Sequence, residues 1–192
     1  MLTKLRRIHS RIVKPIVKVL VRLGVKANHL TLASLILSLL YIATLLNELV
    51  LLAVILILAI GFLDAIDGEV ARARGEASPI GSFLDSLIDR ITDAIIIGGL
   101  LILGFNVIAV YTLLTLSMLI SYCRAKGESL GVKMESIGLI ERAERLILIM
   151  VILILYLSLG LYYSQILLLI LIALSLITLL QRVTHLLLKL RK

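Results

Sequence analysis

Apolar positions fill this chain in runs of about 20 residues, the length an α-helix needs to cross the hydrocarbon core of a bilayer. Such runs fall at 29–46, 49–71, 80–104, 107–127, 143–160 and 163–188, and they predict six transmembrane helices. Asn47-Glu48, Gly104-Phe105-Asn106 and Gly160 break the pattern as short turns that contain no basic residue. Residues 1–26 read differently. Leu2, Leu5, Ile8, Ile12, Val13, Ile16, Val17, Leu20 and Leu23 recur at helical spacing among Lys4, Arg6, Arg7, Arg11, Lys14, Lys18, Arg22 and Lys26. That is the pattern of an amphipathic helix lying in the headgroup layer, with Pro15 as a bend. A basic topology anchor is the plainer alternative, compatible with the first. A cleavable signal peptide is not expected, because it needs a compact apolar core free of interleaved charge. The expected fold class is therefore all-α integral membrane: an interfacial amphipathic helix over 1–26, then one six-helix membrane domain over 27–192.

Composition agrees. The chain is 61% apolar and 17% charged, against roughly 45–50% and about 25% for soluble domains. Six spans occupy most of the 192 residues, which excludes a second soluble domain. All twenty Lys and Arg lie in the N-terminal segment, in 72–90, in 124–145 or in 182–192. With six spans those four places share one membrane face, so the positive-inside rule puts them, and both termini, on the cytoplasmic side of the cell membrane. The net charge of +8 then reads as topology rather than as nucleic-acid binding. Cys123 is the only cysteine, which excludes an internal disulfide and Cys/His zinc spacing.

Charge patterning also isolates the candidate chemistry. Seven of the twelve acids fall between 64 and 93, where two spans meet the cytoplasmic face. Asp64 and Asp67 are three apart; Gly81, Asp85 and Asp89 are each four apart. Such spacings put side chains on one face of a helix, so two adjacent helices would aim two carboxylates each at one space. A single charge in a span already costs roughly 2.5–3.5 kcal/mol on insertion scales. Two divalent cations would cancel four such charges, and all-oxygen ligation favours Mg²⁺ or Mn²⁺. A two-metal site is a known clamp for phosphoryl displacement. Gly68 and Gly81 leave room for a ligand, and Arg72 could offer a charge-assisted fork to phosphate. The plain alternative is a solvated network of these acids with Arg72, Arg74 and Arg90.

The segment Asp64-Ala-Ile-Asp67-Gly68-Glu-Val-Ala71-Arg72, eight residues, then Gly81-Ser-Phe-Leu-Asp85-Ser-Leu-Ile-Asp89 resembles the signature of the CDP-alcohol phosphotransferase family at every fixed position. The resemblance implies six membrane helices behind an interfacial helix, a homodimer, and an enzyme of phospholipid biosynthesis that transfers substituted phosphate groups. It implies Asp64, Asp67 and Asp85 as principal metal ligands, with Asp89 completing the site and acting as general base. Asp64, Asp67, Gly68, Ala71, Arg72, Gly81 and Asp85 would contact the CDP moiety. Asn28-His29-Leu30-Thr31 is similar to the family's N-x-x-T at the first span, which adds Asn28 and Thr31; ordinary helix capping by Asn28 is the alternative. The implied donor is a CDP-linked lipid, carrying a phosphatidyl or archaetidyl group, and CMP is the leaving group.

A second, basic cluster bears on the acceptor. Arg124, Lys126, Arg142, Arg145 and Arg182 lie at cytoplasmic span ends, where topology alone also favours them. Glu141 and Glu144 could neutralise their neighbours locally. Ser121–Glu128 and Glu141–Leu146 look like stretches of the family's inositol-phosphate-using members, whose basic residues bind the acceptor phosphate. The expected acceptor is therefore a phosphorylated polyol, myo-inositol 1-phosphate; glycerol 3-phosphate is the alternative. A cation transporter is the competing class, for which Asp93 is deep enough. Otherwise Asp93 extends the same polar face and pairs with a neighbouring helix.

Overall fold

The computed structural model describes residues 13–191 of the chain. Residues 1–12, which carry half of the expected interfacial helix, lie outside the described residues. From 13 to 22 the chain is helical (α1), and Val13 and Val17 are buried against Leu30, Ile66 and Val70 while Lys14 and Lys18 point outward. Six helices follow: α2 (Ala27–Leu46), α3 (Val50–Arg74), α4 (Pro79–Gly99), α5 (Val107–Ser129), α6 (Arg142–Leu159) and α7 (Leu161–Leu190).

Punctuation follows local chemistry. Gly75, at φ +66°, closes α3 in the left-handed conformation, which costs a residue without a Cβ little. Ser78 then caps α4, its hydroxyl accepting from Gly81 N at 3.1 Å, with Pro79 in the first turn. Asn106 caps α5 in the same way through Ala109 N at 3.0 Å. The predicted span 80–104 divides: α4 ends at Gly99, and Leu100–Leu103 tighten into a 3₁₀ turn. Tyr41 lies across this point, donating its hydroxyl to Ile96 O at 3.0 Å. A Cβ on Gly99 would come within 2.5 Å of the Tyr41 ring.

Helix α2 packs on α3 and α4, α5 on α7, and α6 lies against both α3 and α7. Tyr41, Ile57, Ile60, Ile96, Leu113, Ile149 and Leu168 belong to the shared core. Outward faces are also apolar: Leu32, Ile36, Leu39, Leu58, Leu169 and Ile170 stand in the open. A surface of that kind needs lipid around it. Helices α2, α3, α5 and α7 are long and apolar enough to cross a membrane. In α4 and α6 the apolar run is interrupted, by Asp85, Asp89, Arg90 and Asp93 in one and by Arg142, Glu144 and Arg145 in the other. Those charges build the site.

Candidate active site

The turn 75–78 joins α3 to α4, both packed on α2, and Asp64 and Asp67 from one helix converge with Asp85 from the next. One carboxylate oxygen of each lies within 4.8 Å of the others. Asp67 is buried, and Thr31 Oγ1 of α2 donates to its Oδ2 at 3.2 Å. Asp85 Oδ1 is buried and receives no hydrogen bond from the described residues. Among those residues neither Asp67 nor Asp85 meets a basic side chain. Buried carboxylate oxygens without donors are costly, and hard oxygen ligands that converge in this way suit a divalent cation. The residues fit a metal.

Two cavities meet at this cluster. The first, about 250 Å³, lies between α2, α3 and the start of α4 and is lined by Asn28, Thr31, Asp67, Gly68, Ala71, Arg72, Gly81 and Asp85. Asn28 does not cap α2; that position belongs to Lys26, whose backbone N–H is 3.4 Å from His29 Nδ1. Arg72 pairs with Glu69 at 3.0 Å and Arg74 with Glu76 at 2.9 Å, so neither neutralises the aspartates. The hydrogen bond from Arg74 holds the exposed Glu76 carboxyl below the usual glutamate range.

The second cavity, about 490 Å³, opens between α4, α5, α6 and α7 and shares Ser82 and Asp85 with the first. Asp64, Asp89, Arg124, Arg142, Arg145 and Arg182 line it. Asp89 lies apart from the three-acid cluster: its Oδ1 is 3.0 Å from Arg142 Nη1 and its Oδ2 3.5 Å from Arg90 Nη1. Arg142 Nη1 is also 2.8 Å from Asp64 Oδ2. Arg182, buried, donates Nε to Ile137 O and Nη1 to Ile120 O, each at 2.8 Å, and so ties the 130–141 connector and α5 to α7. Arg124 is half exposed and held by Glu128 at 3.0 Å.

One expected residue falls outside this constellation. Lys126 is exposed and lines neither cavity. Positions two apart on a helix differ by about 200° around its axis, which puts Lys126 on the side of α5 away from Arg124 and the chamber. Nor do Glu141 and Glu144 neutralise Arg142 and Arg145: Glu144 Oε2 accepts from Glu141 N, and the arginines turn to aspartates of α3 and α4. Ser82, Ser86 and Ser121 also line the second cavity. Ser82 and Ser86, four apart and flanking Asp85, could have been found from helical spacing alone.

Comparison with known proteins gives this geometry a context. The profile of the CDP-alcohol phosphatidyltransferase family matches residues 25–179. The archaetidylinositol phosphate synthase of Methanothermobacter thermautotrophicus is 32% identical over 192 residues, covering 100% of this chain and 96% of that protein. The archaetidylinositol phosphate synthase of Aeropyrum pernix is 47% identical over 98 residues, and there the match spans 50% of either chain. Among solved structures, Mycobacterium tuberculosis phosphatidylinositol phosphate synthase with CDP-DAG bound superposes with TM-score 0.79 at 28% identity, over 92% of this chain and 94% of that one. The same mycobacterial protein in complex with manganese and citrate gives TM-score 0.78 at 28% identity, over 91% and 88%.

Proposed function

Because the chain belongs to the CDP-alcohol phosphatidyltransferase family, we propose that it transfers the phosphatidyl or archaetidyl group of a CDP-linked lipid to a hydroxyl of myo-inositol 1-phosphate. It is a membrane enzyme of phospholipid biosynthesis, a transferase of substituted phosphate groups. The observation that carries the acceptor is the second cavity: carboxylates and five arginines line one space that adjoins the three-acid cluster through Ser82 and Asp85. A neutral alcohol gives no use for that positive charge, whereas a phosphorylated polyol does. The names of the inositol-phosphate relatives support the same reading.

Asp64, Asp67 and Asp85, completed by Asp89, would hold two divalent cations, Mg²⁺ or Mn²⁺. When bound, these neutralise the donor's diphosphate and charge developing on the departing nucleotide. Asn28, Thr31, Gly68, Ala71, Arg72 and Gly81, with the aspartates, seat the CDP moiety in the first cavity. Arg124, Arg142, Arg145 and Arg182 bind and orient the acceptor's phosphate in the second. Asp89 takes the proton of the attacking hydroxyl. The hydroxyl oxygen bonds to the phosphorus that carries the lipid, the bond from that phosphorus to the bridging oxygen breaks, and CMP leaves with that oxygen.

In the membrane, α2 to α7 form six spans of one membrane domain, with α1 lying at the interface. Both termini and the site face the cytoplasm, and the enzyme works as a homodimer. The test is CMP release by purified protein given CDP-lipid and Mg²⁺ with labelled inositol 1-phosphate, glycerol 3-phosphate, inositol or serine. Turnover with inositol 1-phosphate is expected. Selective use of glycerol 3-phosphate replaces the acceptor, and cation flux in liposomes without alcohol-dependent CMP release replaces the enzyme.

A further inference from the structure

Asp93 lies outside the two-helix signature, and the chemistry above leaves it without a task. It is 5% exposed and stands one turn past Asp89 on the same face of α4. Its Oδ1 accepts from Arg142 Nε at 3.0 Å, and its Oδ2 lies 3.5 Å from Nη2 of Arg145, itself buried. Arg142 and Arg145 are three apart on α6, so one carboxylate reaches both. The other acids hold Arg142 differently. Its Nη1 is within ion-pair distance of Asp64 and Asp89, yet at angles that form no hydrogen bond. The bond to Asp93 is the directional one. A guanidinium is planar, so fixing Nε fixes the plane of the whole fork.

We propose that Asp93 is a positioning residue for the acceptor: it sets the planes of Arg142 and Arg145 so that their other donors are presented to the phosphate of the incoming alcohol. This rests on the acceptor reading above. Two long cationic side chains side by side repel one another and lose rotamer freedom when they grip a ligand; a buried anion between them removes both costs before binding. Loss of a carboxylate that merely fastened α4 to α6 would lower stability without distinguishing one substrate from the other.

The experiment uses the full-length protein in detergent or nanodiscs. Inositol 1-phosphate is titrated calorimetrically in the presence of Mg²⁺, and KM is measured separately for inositol 1-phosphate and CDP-lipid. Asp93→Asn is expected to weaken acceptor binding and raise acceptor KM by about tenfold or more, the usual scale for a lost hydrogen bond to a charged group. KM for CDP-lipid should stay within about twofold. Asp93→Glu retains the charge but moves the carboxylate by one methylene; it should restore part of the acceptor affinity, leaving a deficit of about threefold. Should Asp93→Asn fail to fold, Asp93→Glu alone decides by the same split between substrates. Unchanged acceptor KM in the folded variants, or equal losses for both substrates, overturns the inference while leaving the function intact. If the wild type prefers glycerol 3-phosphate, the same split is read with that acceptor. Wild-type protein that binds neither phosphorylated alcohol overturns the inference and the proposed acceptor together.

Discussion

The two cavities use the same kind of carboxylate in opposite ways. Around the first, Asp67 and Asp85 meet no arginine among the described residues, and Asp85 Oδ1 has no donor among them either. Around the second, Asp89 and Asp93 are already met by Arg142 and Arg145 at 3.0–3.5 Å. Uncompensated buried charge is unstable, whereas a paired and hydrogen-bonded charge can persist in a fold. The difference teaches that the first cluster suits positive charge from outside, as a metal would supply, while the second is balanced internally; in the proposed function its remaining guanidinium N–H groups serve the acceptor's phosphate. Asp64 belongs to both, touching the cluster on one side and Arg142 on the other.

The largest expected effect breaks the first side alone. Chelation should abolish CMP release and added Mg²⁺ or Mn²⁺ should restore it; Asp67→Asn should abolish it beyond rescue, with Mn²⁺ binding by electron paramagnetic resonance lost in parallel. Full activity in chelator would end the contrast between the two sides. Next, Asp89→Asn should cut kcat by about 10²–10⁴, the range for loss of a general base, while CDP-lipid binding by equilibrium titration is largely kept. Retained turnover would remove Asp89 from its role. On the second side, Arg124→Gln should raise acceptor KM by about tenfold, as expected for losing a charged phosphate contact. Lys126→Gln should leave KM within about twofold, since an exposed charge outside both cavities is worth little. Equal effects would mean that the wall of the chamber is drawn wrongly. The smallest effect is local: Ser78→Ala should lower stability by about 1 kcal/mol through loss of the α4 cap, read by thermal unfolding in detergent.

The first side was legible because its parts are close in sequence. Asp64 to Asp89 form one helix–turn–helix, and residue spacing on two neighbouring helices already decides which side chains meet. The three short turns were legible for the same local reason: Glu48, Gly104 and Gly160 carry positive φ. The second side was not. Arg142 reaches Asp64 and Asp93 across 78 and 49 positions of chain, and no periodicity reveals which buried acid a distant arginine will find. Sequence therefore offered Glu141 and Glu144 as partners, and the packing of α6 on α3 offered better ones. Lys126 joined Arg124 through their shared span end and the resemblance of that stretch, where helical phase separates the two. The break of the third span at Gly99 escaped for a similar reason: it answers to the Tyr41 ring, 58 residues away.

Ser82 and Asp85 line both cavities and so form the partition between them; in the function proposed above, the donor lies on one face and the acceptor on the other. Any exchange at those two positions is felt by donor and acceptor together, so neither preference can drift there without disturbing the other. Under that proposal, a change of acceptor would fall to the far side of the chamber, on α5, α6 and α7, where a substitution meets one reactant alone.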